Sequence, residues 1–344
     1  MKLISGGVTA AKGFRAAGVH AGVKAGSSAD KNDLAMILCD TEASAAGVYT
    51  MNRVKAAPIY VTMEHLENGS ARGIIANSGN ANACAPLGHE NAVKMCEAAA
   101  SATGLRPEDF IVCSTGVIGQ TLNVSVIENA CPTLASLLSR DGSGDAAAAI
   151  MTTDTHSKEV SIEFTIGGKT CRMGAIAKGS GMIHPNMATM LLFITTDAKV
   201  EPAVLQAALS SVVPATFNQI SVDGDTSTND TVLLLASGLS GAEVQPGTAD
   251  YDTFVAALTQ VAEQLSRELA GDGEGATKLL ECIVTGAPDL LTARAVSKSV
   301  IHSALFKAAM FGEDANWGRV LCAIGYTPGD FDISKTAVRL KSKA

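Results

Sequence analysis

Polar and apolar positions alternate most clearly at Val160, Ile162, Phe164 and Ile166, separated by Ser161, Glu163 and Thr165. That period of two predicts a strand with one buried face. Gly167-Gly168 follows, and Thr170-Cys171-Arg172-Met173 resumes the alternation. Two glycines tolerate positive φ, so the pattern predicts a hairpin. Short apolar runs at 34–38, 73–76 and 110–113 predict buried strands. Residues 90–102 and 126–138 predict helices, with Pro132 expected to break or turn the second. Phe254, Leu258, Val261, Leu265 and Leu269 step by three or four and predict a helix over 251–270. Pro202 suits the first turn of another, running through Leu205, Leu209 and Val212. Residues 293–310 predict one further helix.

Strands alternating with helices imply an α/β or α+β protein. The second hairpin strand leads to Lys178 and into Gly179-Ser180-Gly181-Met182-Ile183-His184-Pro185-Asn186. Met187-Ala188-Thr189 and an apolar run at 190–194 come next. A glycine- and proline-rich loop feeding a buried strand at a threonine is where chemistry is expected.

Composition narrows the class. The 344 residues suggest about two domains. The net charge of −8 and pI near 5.3 argue against a nucleic-acid binder. Mean hydropathy is +0.23, yet no apolar run approaches the ~18 residues of a membrane span. The first residues lack an apolar stretch before Lys12 and Arg15, so no secretory signal is expected. None of the eight cysteines forms Cys-x-x-Cys, which fits reduced, buried thiols in a cytoplasmic protein.

Several motif matches fail on context. Gly168-Lys169-Thr170 resembles the end of a phosphate-binding loop but lies in the hairpin turn, and Gly142-x-Gly144-x-x-Ala147 follows a helix instead of a strand. The histidines are scattered without zinc spacing, so no metal site is expected. The oxygen-rich run from Asp223 to Asp230 lacks calcium-loop spacing and reads as a well-bonded turn unless the fold carries it to a site. Threonine and glycine chemistry survives. If the Ala188–Thr189 peptide were cut, Thr189 would expose an α-amino group with a pKa near ~8, suited to act as base for its own hydroxyl. Taken alone, Thr189 reads as a β-branched strand starter. Ser114-Thr115-Gly116 after a strand offers a hydroxyl and N–H groups for an oxyanion, or an ordinary turn. Lys178 suits a carboxylate or solvent. Glu274 lies after the 251–270 helix, where Gly271 suits a helix cap.

Six segments together resemble the ornithine acetyltransferase (glutamate N-acetyltransferase, ArgJ) family. They are Gly6-Gly7-Val8-Thr9-Ala10-Ala11-Lys12-Gly13-Phe14; Ala76-Asn77-Ser78-Gly79-Asn80-Ala81-Asn82-Ala83-Cys84; Met151-Thr152-Thr153-Asp154-Thr155; the run from Ala177 to Leu191; Val222 to Asp230; and Asp314-Ala315-Asn316-Trp317-Gly318-Arg319. They keep the family's order and span nearly the whole chain. The resemblance implies an αββα layered fold like that of N-terminal-nucleophile enzymes, with a smaller C-terminal α/β domain. It implies self-cleavage into an α chain, 1–188, and a β chain, 189–344, with two of each assembling. Thr189 is then the nucleophile and Thr115 and Gly116 the oxyanion donors. Thr152, Lys178, Thr189 and Glu274 become substrate contacts.

The implied reaction is ping-pong transfer of acetyl from N2-acetyl-L-ornithine to L-glutamate through acetyl-Thr189, with no cofactor or metal. Acetyl-CoA stays open as a second donor. The two amino acids share an α-carboxylate but end in opposite charges, so that end of the pocket is expected to be mixed or hydrated. The alternatives are a related self-cleaving aminopeptidase or amidase, and a non-enzymatic remnant. Family members continue further and close with an Asn and a Ser/Thr, whereas here the sequence stops at Arg339-Leu340-Lys341-Ser342-Lys343-Ala344, directly after a strand-like stretch. An incomplete final domain, with cleavage intact and transfer weakened, is the expectation that follows.

Overall fold

The computed structural model describes residues 1–183 and 190–342. Its strands, in chain order, are β1 (Lys2–Ile4), β2 (Phe14–Val19), β3 (Leu34–Tyr49), β4 (Ser70–Asn77), β5 (Phe110–Ser114), β6 (Lys158–Ile166), β7 (Lys169–Lys178), β8 (Leu191–Thr196), β9 (Lys199–Val200), β10 (Thr231–Ala236) and β11 (Glu243–Val244). Its helices are α1 (Ala57–His65), α2 (Gly88–Thr103), α3 (Val124–Ser136), α4 (Ser143–Ala149), α5 (Pro202–Val212), α6 (Ala249–Gly271), α7 (Leu290–His302), α8 (Ala304–Phe311) and α9 (Trp317–Gly325).

The main sheet runs β1-β6-β7-β8-β10-β3-β4-β5, with β2 also paired to β3. The expected β6–β7 hairpin forms, with φ of 54° at Gly167 and 75° at Gly168, the double positive φ of a primed turn. The 34–38 run is only the first half of a longer strand. Residues 34–39 of β3 pair with β2, a register shift falls between Leu38 and Ala43, and 44–49 pair with β10. Polar Asp40-Thr41-Glu42 hides the continuation at the shift.

Alternate residues of the sheet face different cores, and this builds four layers. Leu192, Ile194, Val232 and Leu234 pack with α5 and α6 through Leu205, Leu209, Phe254 and Leu265. Met36, Ile75 and Val112 pack on α2 and α3 through Met95, Cys96 and Ile127. Between the two halves lie Ile37, Ile74, Ile111, Ile176, Leu191, Phe193, Leu233 and Leu235. The order is helices, sheet, sheet, helices, so the αββα expectation holds.

Helix α3 passes through Pro132 without breaking, the ring standing on its exposed side. The helix expected over 293–310 is two. Ser303 interrupts it in extended conformation, and its side chain accepts from Phe306 N to start α8. Helices α7 to α9 enclose a small core of Val296, Val300, Phe306, Val320, Ala323 and Ile324. This C-terminal unit contains helices but no strand among its described residues. Among the described residues the strand expected near the end does not form, and 336–342 stay irregular.

Candidate active site

Strands β5 and β7 come from opposite halves of the sandwich, yet both aim side chains into the layer between them. Ile111 and Cys113 of β5 face that layer, and Thr115 follows with the same parity. Ile176 of β7 faces it too, and Lys178 is next in phase. The two meet there: Lys178 Nζ donates to Thr115 Oγ1 at 3.4 Å, with both residues buried. A short loop, 77–82, holds the Thr115 turn. Thr115 N donates to Asn77 O at 2.9 Å, and Asn80 pairs with Thr115 and Val117. Gly116 has φ of 129°, and a Cβ there would lie 2.6 Å from Gly79 C. Only glycine fits this close crossing of two backbones.

Asp154, Asp230 and Glu274 all pull on the Lys178 ammonium, and Asp154 is shared with a second buried lysine. Asp154 Oδ1 accepts from Gly179 N at 2.6 Å and from Lys158 Nζ at 2.8 Å. Lys158 is fully buried and also reaches Asp272 Oδ2 at 2.5 Å. Burial pushes the Asp154 carboxyl up, but Lys178, Lys158 and the Gly179 N–H together hold it below the usual carboxylate range. Burial pushes the Lys178 ammonium below its ordinary value, against the pull of Asp154 and Asp230. Asp230 is raised well above the ordinary carboxylate value, chiefly by burial. Its Oδ1 accepts from Met190 N at 3.0 Å, and its Oδ2 has no hydrogen-bond partner among the described residues.

Thr152 joins this group through Asp154, whose Oδ2 accepts from Thr152 N at 3.0 Å. Glu274 arrives from the end of α6. Its N–H donates to Ser180 O at 3.1 Å, and its carboxylate lies against Gly181. Beside it opens a cavity of about 700 Å³, on whose wall Arg267, Lys278, Glu281 and Lys307 set both signs of charge. Thr115, Gly116, Thr152, Lys178 and Glu274 are thus drawn together from positions up to 159 residues apart (274 − 115). Ala188 and Thr189 lie outside the described residues. Their neighbour Met190 is buried, and Leu191 and Phe193 face the same inter-sheet layer as Lys178.

The run from Asp223 to Asp230, read from the sequence as a turn, is carried to the site. Asn229 Nδ2 donates to Ala81 O and to Ser114 O, both at 2.7 Å, which ties the 114–116 turn to the segment just before β10. Sequence reasoning did not assign Asp154, Lys158, Asn229, Asp230 or Asp272. One signal for Lys158 was available: it shares the parity of Val160, Ile162, Phe164 and Ile166, the apolar face of its strand. A lysine in that phase demands buried carboxylates.

Among the described residues no helix is long and apolar enough to cross a membrane. The arrangement suits acyl transfer: a buried hydroxyl and adjacent backbone N–H where an oxyanion forms, and a lysine beside them. Similar proteins agree with this chemistry. The ArgJ family matches residues 15–344. An arginine biosynthesis bifunctional protein ArgJ of Symbiobacterium thermophilum is 52% identical over 334 residues, covering 96% of this chain and 83% of its own. That of Caldanaerobacter subterraneus is 48% identical over 344 residues, covering 99% and 84%. A crystal structure of the Bacillus halodurans ArgJ protein is 42% identical with a TM-score of 0.50, and covers 55% of this chain and 97% of its own. The chain belongs to the ArgJ family.

Proposed function

We propose that this chain cuts itself between Ala188 and Thr189 and then moves acetyl from N2-acetyl-L-ornithine to L-glutamate, a step of arginine biosynthesis. Members of the family are glutamate N-acetyltransferases and ornithine acetyltransferases. The observation that carries the reading is the buried Lys178–Thr115 contact at the mouth of the inter-sheet layer, beside Met190. Thr189 Oγ attacks the acetamide carbonyl and its α-amine takes the hydroxyl proton. Thr115 and the Gly116 N–H stabilise the oxyanion. Collapse breaks the C–N bond, the amine returns the proton, and ornithine leaves with acetyl as an ester on Thr189. The α-amine of glutamate then attacks the ester, giving N-acetylglutamate and free Thr189. The residues Lys178, Thr152 and Glu274 bind substrate, Lys178 holding the α-carboxylate common to both amino acids.

Two further observations support the reading. A first chain ending at Ala188 holds 188 of 344 residues, 55%, the same share that the Bacillus halodurans structure covers with 97% of its own length. Glu274 lines a cavity whose wall carries both signs of charge, as substrates ending in opposite signs need, although Thr115, Thr152 and Lys178 are not part of that wall. Two α and two β chains assemble, and the reaction runs in the cytoplasm without cofactor or metal. The test has two parts. Denaturing mass spectrometry resolves two chains with Thr189 first in the second. A ping-pong assay yields N-acetylglutamate from acetylornithine, with acetyl-CoA tested as a second donor. Release of free acetate in place of transfer to glutamate would mark a hydrolase and sink the proposal.

A further inference from the structure

The polar run 222–231 binds the chain on both sides of the Ala188–Thr189 bond. On the upstream side, Asp223 accepts from Met182 N at 2.5 Å and from Ile183 N at 2.9 Å. Val222 N donates to Ile183 O at 2.5 Å, and Ile183 bridges to Thr226. Met182 has φ of 58°, a left-handed conformation that a non-glycine residue adopts only under constraint. On the downstream side, Asp230 Oδ1 accepts from Met190 N at 3.0 Å, and Thr231 N donates to Met190 O at 3.0 Å. Between the two carboxylates, Asn229 reaches across to Ser114 O, one residue before Thr115.

The run itself is fixed from behind. Lys298 of α7 donates to Asn218 O and Ile220 O, and Lys307 of α8 donates to Ser221 O and Val222 O. Asp230 O accepts from Thr50 N, and Thr50 Oγ1 donates to Ser227 O. A side-chain oxygen that accepts a backbone N–H fixes where that N–H sits, whether the side chain is charged or neutral. Attack by a hydroxyl on its own peptide bond needs the reacting atoms near 3–3.5 Å, so backbone placement on both sides sets the rate.

We propose that Asp223 and Asp230 are positioning residues for self-cleavage. One carboxylate from a single loop fixes the backbone on each side of the Ala188–Thr189 bond, and Asn229 registers that loop against the oxyanion turn. Neither carboxylate takes a covalent part. This rests on the self-cleavage reading above.

The experiment follows purified full-length precursor by denaturing mass spectrometry for wild type, Asp223→Ala, Asp230→Ala, Asp223→Asn and Asp230→Asn. Both alanine variants are expected to slow the appearance of two chains by roughly tenfold or more. Asp230→Asn keeps an acceptor for Met190 N and is expected to recover most of the rate. Asp223→Asn keeps one acceptor of two and is expected to fall between. Melting of all four is monitored, and the asparagine variants decide the matter if an alanine variant fails to fold. Hydrogen exchange at Met182, Ile183 and Met190, in a Thr189→Ala background, is expected to speed up at the affected side only. Alanine variants that cleave at the wild-type rate overturn the positioning role. A wild-type chain that never cleaves overturns the self-cleavage reading and this role with it.

Discussion

Lys178 Nζ donates to Thr115 Oγ1 at 3.4 Å, although Lys178 ends β7 and Thr115 follows β5, on opposite sides of the inter-sheet layer. An ammonium that occupies a lone pair of the hydroxyl leaves the O–H free to donate elsewhere. In the proposed reaction that O–H is the donor offered to the developing oxyanion. Thr115→Ala should lower kcat by about 10²–10³, or roughly 2.7–4 kcal/mol, with little change in KM. Kinetics on already cleaved protein separate this from slower maturation. A raised KM with unchanged kcat would contradict the role.

The same contact predicts an alkaline limit. Burial lowers the Lys178 ammonium below its ordinary 10.5. As pH rises through that lowered value, the lysine loses its proton and with it both the hold on Thr115 and the charge facing the substrate carboxylate. The rate of acetyl transfer should therefore fall on the alkaline side before pH 10.5 is reached. Thr115→Ala should keep only the part of the fall that reflects substrate binding. A pH–rate profile that stays flat up to pH 10.5 opposes the assignment.

Replacing the proposed nucleophile gives the simplest outcome. Thr189→Ala should remain a single 35.1 kDa chain with no acetyl transfer, read by denaturing mass spectrometry and the ping-pong assay. Cleavage at the same bond in that variant would remove Thr189 from the mechanism.

Lys158 stands fully buried between Asp154 and Asp272. Lys158→Ala removes the charge shared by Asp154 and Asp272, with Lys178 still pulling on Asp154, and breaking such a buried pair typically costs about 3–5 kcal/mol. A lowered melting temperature reflecting a loss of that size is expected in thermal unfolding. The loss should shrink in the triple variant that also carries Asp154→Asn and Asp272→Asn. An exposed-pair variant, Arg15→Ala at the Arg15–Asp40 bridge, provides the contrast and should barely shift the melt.

Asp230 predicts a trade between stability and cleavage. A carboxyl raised in the folded state binds more protons there than in the unfolded chain. Its contribution to stability is complete below about pH 3.8 and is lost as pH rises through the raised native value. Asp230→Asn removes that loss. Its melting temperature relative to wild type should climb between acid and neutral pH. A difference that is constant with pH would show that Asp230 does not titrate in this range.

Much of the architecture was legible in the sequence. The β6–β7 hairpin is local, set by period-two alternation and two adjacent glycines, and needs no distant partner. Helix α6 is likewise marked by its own apolar stripe. Helix α7 was merged with α8 because a capping serine inside an apolar run looks like any other polar position; only the extended backbone at Ser303 reveals the break. The resemblance pointed to Thr115, Gly116, Thr152, Lys178 and Glu274, and the fold draws these residues together. Asp154 and Asp230 escaped because their significance comes from burial beside Lys178, and burial of a short polar residue is decided by strands far away in sequence. Asn229 escaped for the same reason, since both its acceptors lie more than 100 residues upstream.

Strand β8 begins just after the proposed cut. It is hydrogen-bonded along its length to β7, which precedes the cut, and to β10, which follows it. β10 in turn pairs with β3. A severed backbone is therefore bridged by two strand ladders and a shared apolar layer, and the break is chemical without being mechanical. The matured enzyme is in effect a naturally split protein. Its halves should travel as one body in a native sizing column and part only in denaturant. Genes for 1–188 and 189–344, expressed together, should rebuild the same sheet without any peptide bond ever joining them.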